Sequence, residues 1–559
     1  MTATVMKPGN WQKNWAARRA SFEAECRDAR DGLLIDAKDP VTAQLRVRDD
    51  VIRLCAASLH WKERGYSVLA DEPHRFRSVL PIRRYDDFSE EIDRETRTKG
   101  GVLSCSPVLR WLKTSGTTGT PKCVPYTLHW LLNYRIPAMK AMWGTYTELH
   151  PEILAHPHAT LDTQTVREYV LDFVHGVQHQ AVSNRHPKLN SRDWSPPWYD
   201  SPWFGTETPT DHEGRMYHRI RHLVGRELHF ISAINPSTLV SMRDIIAARR
   251  DQLVRDVREG TLDGEPCTRP DEEAARRLEA VLAEDDFTLK DVWPSLTLYS
   301  CWLSASAGLY QAKLDTLFPG VHKLPFMSCG TEGVTTIPVD ATAHSQPLAV
   351  GQAFFEFVPA EVPLGELLEA GDTADTLLVE EVEEGRDYHL IMTQATGLYR
   401  LWTGDVYHVD RIDGGTPWVH FVHRDGLFHS FTGEKITETQ VTRSIQQGMA
   451  GCGLETGLYL CGPRWGEPPG YVVVAEVPTP SEALSTTLSA AVDQALREIN
   501  IEYASKRDSG RLLPLEVITV EHDAISSYTE SRRQAGNANQ YKYKPYQQDI
   551  DFVADLVGR

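Results

Sequence analysis

Three things are missing from these 559 residues: paired cysteines, long apolar runs and an excess of positive charge. Nine cysteines are scattered singly from Cys26 to Cys461 without any C-x-x-C pair. That pattern argues against a disulfide framework or a zinc site and predicts reduced, mostly buried thiols. No apolar run is long enough to span a bilayer. The amino-terminal MTATVMKPGNWQKNWAARR lacks the apolar centre of a signal peptide. A formal net charge of −18 argues against a general nucleic-acid or anionic-membrane binder. The expectation is a cytoplasmic chain, a monomer or weak homo-oligomer, with small molecules as partners and neither nucleic acid nor membrane. There is no repeat at a solenoid period and no low-complexity tract. Histidine pairs occur at His156 and His158 and at His175 and His179, but no carboxylate motif accompanies them. Surface or packing roles are expected for them, and no structural metal.

What is present reads as a soluble globular protein of more than one domain, with 41% hydrophobic and 24% charged residues. Asn235 caps and Pro236 opens a predicted helix to Gly260, with Met242, Ile246, Leu253 and Val257 on one face. A charged helix, DEEAARRLEAVLAEDD, follows. From Trp293 to Asp410 short apolar runs (SLTLYSCWL, AFFEFV, DTLLVEEV, DYHLIMT) predict buried strands in a mixed α/β layer. After Arg424-Asp425-Gly426 the rhythm changes. Strand-like GLYLC, YVVVAEV and LPLEVITV surround a helix with Leu484, Leu488, Val492, Leu496 and Ile499 on one face. This predicts a compact α+β unit, with domains at 1–424 and 425–559. The stretch between Pro151 and His218 reads as an insertion.

Four motifs carry chemistry. Thr114-Ser115-Gly116-Thr117-Thr118-Gly119-Thr120-Pro121-Lys122 joins glycines that let backbone approach a polyanion to hydroxyl donors and a lysine. It is not the G-x-x-x-x-G-K-[ST] pattern. In Ser328-Cys329-Gly330-Thr331-Glu332-Gly333 a hydroxyl suits a phosphate oxygen and a carboxylate suits Mg²⁺. Gly397-Leu398-Tyr399-Arg400-Leu401-Trp402-Thr403-Gly404-Asp405 ends in a carboxylate whose two acceptor oxygens match a vicinal diol. His423-Arg424-Asp425-Gly426-Leu427-Phe428, followed by Gly433-Glu434-Lys435, lies at the change of rhythm. Cys123 and Cys329 fall inside motifs with no base beside them and are expected to be small packing residues.

The nine-residue string closely resembles the phosphate loop of adenylate-forming enzymes: acyl-CoA synthetases, peptide-synthetase adenylation domains and luciferases. The other three motifs resemble that superfamily's Y-G-x-T-E, Y-R-T-G-D and hinge elements in order. Ser328 stands where the family usually has an aromatic that stacks on adenine. With their flanks (FRSVLPIRRYDDFSEEIDRE, KCVPYT, DVWPSLTLYSCWLSASAGLYQAKLDTLFPGV, AFFEFVPAE and Asn539-Gln540-Tyr541-Lys542) the motifs resemble, over most of the chain, the Gretchen Hagen family of auxin-responsive acyl-acid amido synthetases and its bacterial relatives. The loop's T-T-G-T-P-K ending is closer to acyl-CoA synthetases.

The resemblance implies a large amino-terminal adenylate-forming domain for nucleotide and acid and a small mobile carboxy-terminal α+β domain. It implies ATP and Mg²⁺ as cofactors, with a carboxylic acid and an amine or amino acid as substrates. Ser115, Gly116, Thr117, Thr118, Gly119 and Lys122 would hold the β- and γ-phosphates. Thr331 would bond the α-phosphate, with Glu332 placing Mg²⁺. Asp405 would anchor the ribose, Arg424 would contact the nucleotide near it, and Ser306 would line the adenine site. Asp425 would absorb domain rotation, Lys435 would face the acceptor or intermediate, and Lys542 would bridge carboxylate and α-phosphate during adenylation. The acid pocket is expected near Asn133–Met142 and Trp302. An acyl-CoA ligase or carrier-loading enzyme is the alternative.

Overall fold

The computed structural model describes residues 9–98, 100–113, 123–156, 158–161, 172–174, 177–181, 212–303, 305–342, 344–371, 374–424, 427–522, 524–525, 528, 545–547 and 552–557. The chain forms two compact units; the main stretch of the smaller is Gly426–Arg559. The architecture is mixed α/β.

In the larger unit a four-stranded parallel sheet runs in the order His322–Leu324, Leu298–Ser300, Phe230–Ser232, His158–Thr160. A second sheet of four holds the antiparallel pair Val108–Lys113 and Cys123–Thr127, the latter at its edge, in register Lys113 with Cys123. The phosphate-loop string connects these two paired ends and lies outside the described residues. A third, five-stranded antiparallel sheet is ordered Gln346–Pro347, Thr416–Arg424, Leu401–Asp413, Asp387–Thr393, Phe354–Pro359. It carries two of the four motifs.

Two buried polar anchors lock that third sheet. Gln44, on the helix Pro40–Cys55, donates to the Val350 and Ala353 carbonyls at 2.5 and 2.7 Å and accepts from the Phe355 amide at 2.6 Å. Three backbone groups are thereby satisfied where an apolar side chain would leave them orphaned. Arg400, in the third motif, is held in a left-handed conformation at φ 42°. Its guanidinium grips Glu356 through Nε at 3.0 Å and Nη2 at 2.8 Å and also donates to the Arg77 and Leu80 carbonyls. Glu356 is fully buried, so this pair is part of the frame.

Local expectations fare unevenly. Asn235 caps its helix through the Ser237 amide, and Gly260 ends the run at φ 74°. The single helix is in fact two, Pro236–Ala248 and Arg250–Glu259, because Arg249 leaves helical geometry and stacks its guanidinium 5.0 Å from the Tyr217 ring. The apolar face persists across the break, with Met242, Ile246, Leu253 and Val257 all buried. DYHLIMT and AFFEFV form strands, but DTLLVEEV does not. Only its Leu377 bridges to Phe357; the Glu381 carboxylate then accepts from the Leu378 amide and closes a turn. All nine cysteines are free, yet four rather than most are buried, and Cys329 is exposed, not packed. His158 is buried against Trp143, and His156 stacks on His229. His175 and the side chain of His179 lie outside the described residues.

The smaller unit packs the helix Glu482–Ile499 on a three-stranded sheet of Tyr459–Arg464, Gly470–Glu476 and Glu516–Val520. Leu488, Val492 and Leu496 supply the buried helix face, meeting Tyr471, Val473 and Val517. Among the described residues no helix is long and apolar enough to cross a membrane.

Candidate active site

The second motif forms a tight antiparallel ribbon, Ser328–Cys329 against Val334–Thr336. Its turn is closed by the Gly330 amide donating to the Gly333 carbonyl at 2.9 Å. Thr331 is buried in this turn and donates its hydroxyl to Glu332 Oε2 at 3.0 Å. Gly333 is required by close approach: a Cβ there would lie 2.0 Å from Gln394 Nε2. Gln394 is itself held by the Trp130 indole, which donates to its Oε1 at 3.0 Å.

The third and fourth motifs meet through strand register. Across the Asp387–Thr393 and Leu401–Asp413 pair, His389 faces Val406 while Ile391 faces Trp402. The extra length at Thr403–Asp405 is a bulge, with Gly404 at φ 84°, and such bulges re-aim side chains. Asp405 then stands opposite Arg424 on the next strand. Arg424 donates to it in the two-pronged geometry that guanidinium and carboxylate favour, Nε to Oδ1 at 2.6 Å and Nη2 to Oδ2 at 2.9 Å. Burial works against the Arg424 charge, but Asp405 first and then Glu332 and Tyr407 raise its pKa above the ordinary value. Thr331, Glu332, Asp405 and Arg424 thus form one electrostatic group.

Aromatic residues surround it. The Ser328 hydroxyl is 3.0 Å from the Tyr407 hydroxyl. Phe421 stands beside Trp302 at 5.6 Å and beside Tyr407 at 5.7 Å between ring centroids. Trp302, Phe326, Ser328, Tyr407 and Phe421 line a small pocket. Burial, then the Asp405 charge, push the Tyr407 pKa up, which keeps that phenol neutral. Sequence reasoning missed Tyr407 and Phe421. For Tyr407 a signal existed, since it lies two residues beyond Asp405 on one strand and so shares its face.

Of the expected acid-pocket segment, Ala138 and Met142 pack into the core with Cys26 and Trp143. Arg135, on the π-helical turn Leu131–Arg135, instead contacts the Cys329 sulfur and the Tyr126 hydroxyl. Burial works against its charge too, and those two partners more than restore it. A cation therefore sits beside the Thr-Glu motif that no spacing in the sequence announced.

In the smaller unit Lys435 adopts φ 42° and is half-buried. The buried carboxylate of Glu434 holds its loop, accepting from the Phe431 amide at 2.8 Å, the Thr432 amide at 2.7 Å and the Tyr471 hydroxyl. Ser115, Gly116, Thr117, Thr118, Gly119, Lys122, Asp425 and Lys542 lie outside the described residues. So does the side chain of Ser306, on the short helix Ala305–Tyr310.

Two solved structures share the fold. An acyl acid amido synthetase in complex with 2,4-DB superposes with a TM-score of 0.59 at 18% identity, over 99% of this chain and 97% of the other. A second acyl acid amido synthetase gives 0.58 at 16% identity, over 93% and 95%. The fold is that of these two proteins, here divided into a larger and a smaller compact unit. Family models match at residues 33–323 (GH3 family N-terminal domain), 347–424 (GH3 family central domain) and 439–549 (GH3 family C-terminal domain). The chain belongs to the GH3 family. An indole-3-acetic acid-amido synthetase of Oryza sativa subsp. indica is 22% identical over 547 residues, covering 89% of this chain and 87% of that protein. A 4-substituted benzoates-glutamate ligase of Arabidopsis thaliana is 23% identical over 511 residues, covering 84% and 86%.

Proposed function

We propose that this chain activates a carboxylic acid with ATP as an acyl-adenylate and transfers the acyl group to an amine or amino acid, forming an amide and releasing AMP and pyrophosphate. The observation that carries the reading is the convergence of Thr331, Glu332, Asp405 and Arg424, drawn from three separate motifs, in a chain matched along most of its length by one family. Adenylation brings a carboxylate against a phosphate, so the site must supply positive charge and donors where negative charge gathers. Arg424 and Arg135 are the described cations at the motif, and the phosphate loop adds Lys122.

The donor set fits the groups implied. Glu332 offers a hard carboxylate beside a hydroxyl, the chemistry Mg²⁺ takes. Asp405 gives one lone pair per oxygen to Arg424 and keeps others for the ribose hydroxyls. Mg²⁺, when bound, neutralises phosphate charge; Thr331 positions the α-phosphate, and Arg424 orients Asp405. Phe421, Trp302 and Tyr407 offer the aromatic surface that Ser328 lacks. Residues 1–424 form the nucleotide- and acid-binding domain and 425–559 the small mobile one carrying Lys435 and Lys542. The chain works in the cytoplasm as a monomer or weak homo-oligomer and is a bacterial-type member of the family.

The T-T-G-T-P-K ending of the phosphate loop supports a second reading, transfer to coenzyme A or a carrier thiol. Incubation with ATP, Mg²⁺ and a panel of acids, offering amino acids or coenzyme A as acceptor, tests the reading. Amide with AMP is expected. Thioester alone would favour the alternative.

A further inference from the structure

The five-stranded sheet assembles a second cluster, at the rim of the aromatic pocket, that the chemistry above does not use. His408 on the Leu401–Asp413 strand stands opposite His420 on the Thr416–Arg424 strand, and the register slips between Val409 and Arg411. Asp410 is the extra residue of that bulge, and its Oδ2 lies 2.8 Å from His420 Nδ1. On the other side, Gln346–Pro347 pairs with Val419 and Trp418, so the lead-in to that short strand delivers His344 to the same place. His344 Nε2 is 3.6 Å from Asp410 Oδ1, and its ring is 4.2 Å from that of His420. Three neighbouring strands or their approaches thus contribute one ligand-bearing side chain each.

One potential ligand atom from each of His344, Asp410 and His420 lies within 4.8 Å of the other two. Zinc binds imidazole and carboxylate at about 2.0–2.2 Å, which in a tetrahedron sets ligand atoms about 3.3 Å apart. The cluster is therefore a little open, and the residue able to move is evident. His344 has 72% of its side chain exposed, whereas Asp410 and His420 are only 24% and 20% exposed. Two imidazoles and one carboxylate suit a first-row transition ion; Mg²⁺ prefers an all-oxygen shell. Three protein ligands leave a position for water.

We propose that His344, Asp410 and His420 form a binding site for a divalent transition-metal ion of the Zn²⁺ class. Binding draws the exposed His344 onto the bulged strand pair and fixes the segment before Gln346 at the edge of the Trp302–Phe421 pocket. The site is distinct from Glu332 and does not rest on the proposed reaction.

Full-length protein stripped with chelator is titrated with Zn²⁺ alone by calorimetry and with Co²⁺ alone by visible absorption. The expected result is saturable one-to-one binding, with a cobalt d–d spectrum that Mg²⁺ in excess does not displace. His344→Ala removes a ligand from an exposed position, so its thermal unfolding without metal should match the parent. Its metal affinity should fall by about tenfold or more, at least the scale of losing an outer-shell partner. His420→Ala should show the same loss. The proposal is overturned if the parent takes up no ion, or if a folded His344→Ala protein binds as tightly as the parent.

Discussion

Removing the Asp405 carboxylate is the sharpest perturbation of the nucleotide group. Asp405→Ala deletes both acceptors of the two-pronged Arg424 interaction and any bond to a ribose diol. The two side chains are 15% and 23% exposed, so water partly compensates, and the 3–5 kcal/mol typical of breaking a fully buried pair is too high. Hydrogen bonds to a charged group contribute about 1.5–3 kcal/mol each, so the apparent KM for ATP should rise roughly ten- to hundred-fold. The KM for the acid should move far less. Urea unfolding reads stability separately, and a loss of about 1–3 kcal/mol is expected from the stranded guanidinium. A double-mutant cycle with Arg424→Ala, read in ATP affinity and in unfolding, should give a coupling of about 0.5–3 kcal/mol. A folded Asp405→Ala enzyme with unchanged ATP dependence, or strictly additive single effects, would refute the reasoning.

Lys542→Ala should slow adenylation by roughly 10²–10³-fold, the scale of one preorganised transition-state donor. Transfer from chemically supplied acyl-adenylate should be nearly unaffected, and equal damage to both half-reactions would contradict the rotation of the small domain. Glu356→Ala strands the Arg400 guanidinium in the core and should cost about 3–5 kcal/mol of unfolding free energy, measured by urea titration; a loss under about 1 kcal/mol would show the pair to be dispensable. Burial lowers the His60 pKa to about 4, so the folded protein keeps a neutral imidazole that the unfolded chain protonates below about 6.5. Stability should therefore decline as pH falls from about 6.5 toward 4 and be flat with respect to this group above about 7, at up to about 1.4 kcal/mol per unit of depression. Unfolding curves across pH 5–8 test this, and a His60→Gln variant should show a shallower decline.

The motifs were legible because each packs its chemistry into a few consecutive residues, and the helix caps because a cap is a local bond. Asn235 with Ser237 needs no tertiary information. Arg400 was read inside a nucleotide motif, but its partner Glu356 lies 44 residues earlier and only strand pairing joins them. Glu434 looked like one charge among several, until Phe431, Thr432 and Tyr471 were seen to converge on it. DTLLVEEV carries a strand's composition, but its own Glu381 bonds back to Leu378 and makes a turn. Asp410 and His420 meet only because a bulge shifts one strand by a residue, and no periodicity rule anticipates a bulge. Ser328 showed that an aromatic was missing, while its neighbours Tyr407 and Phe421 come from strands about 80 and 90 residues onward.

Acid-dependent pyrophosphate release is the measurement that bears most directly on the central claim. With ATP, Mg²⁺ and a panel of aromatic and aliphatic acids, the parent protein should release pyrophosphate only when a suitable acid is present. Adding an amino acid should then yield amide and AMP. Glu332→Ala, folded by thermal unfolding, should abolish the release. Pyrophosphate release indifferent to every acid, or near-normal turnover by folded Glu332→Ala, would contradict the account.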